Sequence, residues 1–179
     1  MKINKLNIEG LLLIENFNMS DDRGSFEKVF IQQDVYEDKV MSEVFVTTSK
    51  KNVIRGLHFQ TNHPQDKYIS VLQGEILDVA VDLRKDSPTF GTFETIVLNE
   101  KDGLTFVIPA GFAHGFQVLS EKAMVLYCCV NDYDKNSDTG IVYNDETLSI
   151  PWKKMEEEVC VSLKDQQLQT FNEFIEKNK

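Results

Sequence analysis

The chain has 179 residues, with 29 Asp and Glu against 19 Lys and Arg and a net charge of −10. That balance argues against nucleic acid and anionic membrane as partners, which select basic surfaces, and leaves room for an anionic small ligand in a locally positive pocket. A hydrophobic share of 41% supports one domain over residues 1–179, with no apolar run near the ~20 residues of a spanning helix.

In chain order, short apolar or β-branched segments alternate with turn signals. Leu11 to Ile14 reads as a strand, and Asp21-Asp22-Arg23-Gly24 as a turn. Strands are predicted around Val44 to Thr48, Tyr68 to Leu72 and Ile76 to Leu83. Further ones are predicted at Phe93 to Leu98, Leu104 to Ile108, Phe116 to Leu119 and Ala123 to Tyr127. Breaks fall at Gln73-Gly74, Ser87-Pro88, Asp102-Gly103 and Pro109. Strands at this spacing predict an all-β sandwich or barrel. Asn131 to Gly140 is polar and predicts a loop. From Leu163 to Ile175 good helix formers at rough helical spacing predict a short C-terminal helix or pair of turns.

No signal-peptide core follows Met1-Lys2-Ile3-Asn4-Lys5. Cys128, Cys129 and Cys160 make no disulfide framework and are expected to be buried thiols in a reducing cytoplasm. All three histidines, His58, His63 and His114, stand in or beside strand-like segments. Plain alternation puts Arg55 and Leu57 on one face and His58 on the other, unless Gly56 introduces a bulge. Taken singly, Tyr127 also reads as a core aromatic and Asp165 as a surface acid. His63 is expected to be structural or at a rim.

Gly103, five residues, Pro109-x-Gly111, two residues and His114 resemble the second motif of the cupin superfamily, a double-stranded β-helix or jelly roll. In the first motif, Lys67 is followed by six residues and Gly74 and so stands where a glutamate ligand belongs, and Thr61 and His63 take the histidine positions. An ammonium in place of a carboxylate opposes a divalent cation and suits an oxyanion. The expectation is therefore a cupin whose metal site is lost, with no cofactor.

Longer runs carry a closer resemblance. They are Arg55-Gly56-Leu57-His58-Phe59-Gln60, Asp78 to Arg84, Ser87-Pro88-Thr89-Phe90-Gly91, Ile108 to Phe116, and Asn144-Asp145 through Trp152. From Asp21 to Asp165 the chain resembles the dTDP-4-dehydrorhamnose 3,5-epimerase family. The resemblance implies an epimerase of a nucleotide-linked 4-keto-6-deoxyhexose, working through an enolate. It implies His58 as base with Asp165 as its partner, Lys67 near the keto oxygen and Tyr127 as general acid. It further implies that Arg23, Phe26, Arg55, Gln60, Asp78, His114 and Tyr133 bind substrate, in a cytoplasmic homodimer whose N-terminal strands cross to the neighbour.

The family's glutamine and asparagine upstream of Arg55 are replaced here by Glu43 and Phe45, and a common lysine after Tyr127 by Cys128. Single-site epimerisation, a non-catalytic nucleotide-sugar binder and a metal-dependent cupin stand as alternatives. Lys67 and Thr61 weigh against the last.

Overall fold

A computed structural model describes residues 2–29, 39–155 and 158–178. Its strands are numbered in chain order. One sheet runs β1 (Lys2–Lys5), β2 (Leu12–Glu15), β10 (Leu104–Ile108), β7 (Asp66–Gln73), β12 (Lys122–Val130) and β5 (Met41–Lys50). The second runs β13 (Asp138–Gly140), β6 (Val53–Gln60), β11 (Phe112–Val118), β8 (Glu75–Asp82) and β9 (Phe93–Asn99), with β14 (Cys160–Val161) beside β6. A separate hairpin joins β3 (Phe17–Asp21) to β4 (Gly24–Lys28). Two helices, α1 (Leu163–Gln166) and α2 (Phe171–Lys177), end the chain. This is the all-β architecture that the turn spacing predicts, in the jelly-roll form that the cupin resemblance implies.

Pleat explains which side chains meet. Ile69 and Val71 of β7, Phe106 and Ile108 of β10, Phe116 and Val118 of β11, and Val125 and Tyr127 of β12 share the core between the sheets. Burying each large apolar side chain there contributes roughly 1.5–3 kcal/mol. The outer face of the second sheet is also covered. Leu77, Val79 and Val81 of β8 and Leu57 of β6 pack with Ile141, Leu148 and Ile150 and with Phe171 and Phe174 of α2. A strand covered on both faces cannot show a clean polar alternation, which is why Ile76 to Leu83 alternates only partly.

The C-terminal segment forms two helices because the chain between them is spent on pairing. Gln169 accepts from the Val142 N–H and bridges Ile141 in parallel. Thr170 then restarts the helix with a capping box completed by Glu173. The predicted loop 131–140 closes in β13, which adds a strand beside β6. Cys128 and Cys129 are buried, but Cys160 is exposed on the edge strand β14, contrary to the expectation for all three thiols. No helix among the described residues is long and apolar enough to cross a membrane.

Candidate active site

The strand β6 departs from plain alternation, and the site depends on that departure. His58 pairs with His114 across β11, and Arg55 pairs with Phe116, so Gly56 and Leu57 together face Gly115. This is a β-bulge. It turns Arg55 and His58 toward the same cavity, while Leu57 packs outward among apolar neighbours. Gly56 permits it. Its φ is +115°, and a Cβ there would sit 2.5 Å from the Gly115 Cα and 2.6 Å from the His114 carbonyl oxygen.

A cavity of about 200 Å³ opens between the sheets where the apolar core stops. Arg55, His58 and Gln60 of β6 and His114 of β11 line one wall; Lys67 of β7, Tyr127 of β12 and Phe45 and Thr47 of β5 line the other, with Tyr133 and Asp138 at the rim.

Asp165, the buried residue of α1, reaches His58. Its Oδ1 lies 2.9 Å from His58 Nε2, and its Oδ2 accepts from the Gly56 N–H at 3.2 Å. Ser162 caps α1 by accepting from the Asp165 N–H, which fixes where the carboxylate emerges. Burial alone would raise the Asp165 pKa, but the hydrogen bond and charge of His58, with the Gly56 and Ser162 contacts, hold it below the usual carboxylate value. A carboxylate on Nε2 selects the tautomer with hydrogen on Nε2 and leaves the Nδ1 lone pair as the proton acceptor.

A second pair lies deeper. His114 Nε2 is 2.8 Å from Asp78 Oδ1, both side chains are buried, and Asp78 Oδ2 has no hydrogen-bond partner among the described residues. Burial raises the Asp78 pKa, with the charge of His114 opposing. Tyr127 is pushed well above the ordinary phenol value, by burial first and then by the Asp78 charge, while Arg55 opposes the rise. Burial lowers the Lys67 pKa, against the opposing charges of Cys129, Asp138 and Asp66. The pocket thus holds a neutral phenol, an amine with a weakened grip on its proton, and an imidazole with a carboxylate behind it.

Gln60 lines the cavity, but its amide is committed to the rim. Its Nε2 donates to the His63 and Asp132 carbonyls, and its Oε1 accepts from the Asp134 N–H. Tyr133 donates its hydroxyl to Asp138, which also accepts from Lys164. Arg23 and Phe26 are not brought to this cavity. They sit on the β3–β4 hairpin, where Arg23 pairs with Asp21 and both residues are exposed. Thr61 and His63 lie in an exposed turn after β6 and do not join His114. Among the described residues, His, Cys, Asp and Glu form no cluster fit to hold a metal ion. Thr47, Gln65 and Asp138 carried no signal in the sequence. Asp138 enters only because β13 sets it opposite Gln60, and Gln65 because it ties Glu43 to the Asn131 carbonyl.

Comparison with known proteins assigns the chain to a family. The family model for dTDP-4-dehydrorhamnose 3,5-epimerase matches residues 5–173. The enzyme of that name from Methanothermobacter thermautotrophicus is 37% identical over 174 residues, covering 94% of each chain. The Salmonella typhimurium enzyme is 42% identical over 158 residues, covering 85% of this chain and 86% of its own. Among solved structures, the Legionella pneumophila dTDP-6-deoxy-D-glucose-3,5-epimerase in complex with dTDP-4-keto-L-rhamnose superposes with a TM-score of 0.92 at 38% identity, covering 96% of this chain and 93% of that one. A 3'-monoepimerase from Streptomyces bikiniensis in complex with dTDP-quinovose gives 0.90 at 27% identity, covering 97% and 89%. With the jelly roll, the family match along nearly its whole length and these relatives in agreement, the chain is an isomerase of the epimerase class and belongs to the dTDP-4-dehydrorhamnose 3,5-epimerase family.

Proposed function

We propose that this enzyme epimerises C3 and C5 of dTDP-4-dehydro-6-deoxyglucose through an enolate, for rhamnose-type deoxysugar synthesis. The observation that carries the reading is the placement of His58, backed by Asp165, and Tyr127 on opposite walls of one cavity. The C4 ketone acidifies the hydrogens on C3 and C5. His58 Nδ1 takes one as a proton, and the C–H electron pair becomes the enolate. The forming imidazolium is stabilised by Asp165. The enolate oxygen falls to Lys67, whose proton a developing negative charge holds more firmly. Tyr127, kept neutral by burial, gives its proton to the carbon from the opposite face. The resulting phenolate meets the charge of Arg55 and regains a proton from solvent, and the His58 imidazolium gives its proton up to solvent, which readies both groups for the next carbon. Each carbon ends inverted with no net redox change.

None of these steps calls for a metal. Lys67 in place of a carboxylate ligand, and the exposed Thr61 and His63, suit an oxyanion rather than a divalent cation.

Arg23 and Phe26 enter the reading through a second copy of the chain. The hairpin that bears them is almost wholly exposed, and Phe17, Met19 and Phe26 stand out on it. The edge strand β5 also presents Val44 and Val46 outward. In a homodimer the hairpin would bring its arginine and aromatic ring to the partner's cavity mouth as diphosphate and base contacts. Light scattering that found a fully active monomer would overturn this. We place the reaction in the cytoplasm, in keeping with buried reduced thiols at Cys128 and Cys129.

The test is to incubate the protein in D2O with dTDP-4-keto-6-deoxyglucose and follow the sugar protons by NMR. Exchange at C3 and C5 supports the reading. Exchange at one carbon makes this a single-site epimerase, a second reading favoured by the likeness to the 3'-monoepimerase. Exchange at neither, with dTDP-sugar binding retained, would make it a binder.

A further inference from the structure

The departure at Phe45 has a structural consequence. Phe45 lies directly opposite Tyr127 across β5 and β12. The two rings stack with centroids 4.7 Å apart and planes 7° from parallel. The His114 ring meets Tyr127 edge-on, at 5.9 Å and 71°. Tyr127 is buried, and Phe45 is 42% exposed. Phe45 therefore forms the outer cover of the phenol: cavity on one side, core on the other. Thr47, two residues along the same face, lines the cavity with a buried hydroxyl beside the Tyr127 phenol.

A phenol can deliver a proton to carbon only along a narrow approach, and a misplacement of about 1 Å costs on the order of 100-fold in rate. A ring free to turn about its χ angles would be pointed correctly only part of the time. A second aromatic ring laid flat against it removes that freedom, and excludes water from one face of the phenol. We propose that Phe45 is the positioning residue for Tyr127, setting the direction from which the acid delivers its proton. The proposal rests on the reading of Tyr127 as the acid.

The chemistry offers a way to isolate this role. Exchange of substrate hydrogen with solvent needs only the base, because His58 can remove a proton, trade it with water and return deuterium to the same face. Inversion needs the acid on the other face as well. A residue that positions the acid should change the ratio of inversion to exchange, whereas one that binds substrate should change both together.

The experiment compares wild type with Phe45→Asn, Phe45→Tyr and Tyr127→Phe, scoring deuterium uptake and product configuration in the same NMR tubes with dTDP-4-keto-6-deoxyglucose. The expected result is an inversion-to-exchange ratio lowered about 10- to 100-fold in Phe45→Asn and largely restored in Phe45→Tyr, which keeps a flat ring. A substrate-free readout accompanies it. The alkaline absorbance titration of Tyr127, taken as the difference between each protein and its Tyr127→Phe counterpart, should move toward the ordinary phenol range in Phe45→Asn. Parallel loss of exchange and inversion, or no change in either, would overturn the positioning role while leaving the acid assignment intact. Inversion undiminished in Tyr127→Phe would instead overturn the acid assignment, and the role of Phe45 with it. Because Phe45 is on an edge strand and half-exposed, thermal melts of Phe45→Asn should stay close to wild type.

Discussion

Replacing Asp165 by asparagine removes one charge and changes little in shape, yet the hydrogen-bond geometry makes the outcome severe. Both Asp165 oxygens face donors, His58 Nε2 at 2.9 Å and the Gly56 N–H at 3.2 Å. An amide offers one acceptor and one donor group, so one contact must reverse. If the amide nitrogen turned to Gly56, two buried donors would oppose each other, at about 1–3 kcal/mol, with no way for the backbone to adapt. If it turned to His58, the imidazole could adapt by moving its hydrogen from Nε2 to Nδ1. The second arrangement wins, and it places a hydrogen on the nitrogen proposed to act as base. The imidazolium also loses its counter-charge. Loss of general-base function is worth roughly 10²- to 10⁴-fold, equivalent to about 3–5 kcal/mol in the barrier. Deuterium uptake at C3 and C5 should fall by that amount in Asp165→Asn, with the melting temperature changed by only a few degrees. Uptake reduced by less than about tenfold in a folded variant would refute the assignment of Nδ1 as the working base.

Three further outcomes follow from the same contacts. In Lys67→Met the exchange rate should fall on the order of 10²- to 10³-fold, as for loss of an oxyanion donor, while urea unfolding shows no loss of stability, because a partly desolvated ammonium has gone; unchanged exchange would remove Lys67 from the mechanism. Gly56→Ala should cost about 3 kcal/mol or more in urea titrations, since its Cβ meets backbone at 2.5 Å and the residue holds a positive φ; a loss under about 1 kcal/mol would show that the bulge can relax. Burial opposes ionisation of Asp82, but Arg84, Ser87 and Thr89 hydrogen-bond its carboxylate and bring its pKa down to about 2. That stabilisation is complete above the unfolded-state value and is lost as pH falls through the folded one. It amounts to about 2 kcal/mol, so Asp82→Asn should flatten the acid limb of a stability-versus-pH curve, and an unchanged limb would show that the network holds no charge.

Much of the barrel could be read in advance because its turn residues are local signals. Leu104 to Ile108 ends at Pro109 as predicted, and β10 has those bounds. The hairpin turn at Asp21 to Gly24 was legible too, but its strands were not, since β3 and β4 are short and bury almost nothing. Legibility ended where distant segments meet. Nothing near Asp165 in sequence reveals that α1 delivers it to a histidine 107 residues away; only the family resemblance suggested that pairing. The bulge at Gly56 was foreseeable as a possibility, because glycine in a strand often marks one. Its effect was not, because the shift is set by Gly115 on another strand. Gln60 shows the converse. Its place in the Arg55-to-Gln60 motif suggested substrate, while its amide bonds the His63 and Asp132 carbonyls and the Asp134 N–H.

Glu43 needs a physical account, because a carboxylate bonded to the cavity rim should repel the anionic nucleotide sugar proposed as substrate. Its oxygens accept from the Tyr133 N–H at 3.1 Å and from Gln65 Nε2 at 3.3 Å. Both partners belong to the rim. Gln65 also donates to the Asn131 carbonyl, so Glu43 and Gln60 grip the same short segment from two strands in different sheets. A charge so engaged is partly neutralised by its two donors. The acid that replaces an amide at this position therefore acts as a latch on the Tyr133 segment rather than as a ligand. The positive residues Lys67 and Arg55 are left to set the sign of the pocket. An acidic protein can hold an anionic ligand on these terms because field strength in a cleft depends on the nearest desolvated charges, not on net charge. Glu43 and Phe45 then have complementary parts on β5, one fixing the rim and the other covering the phenol.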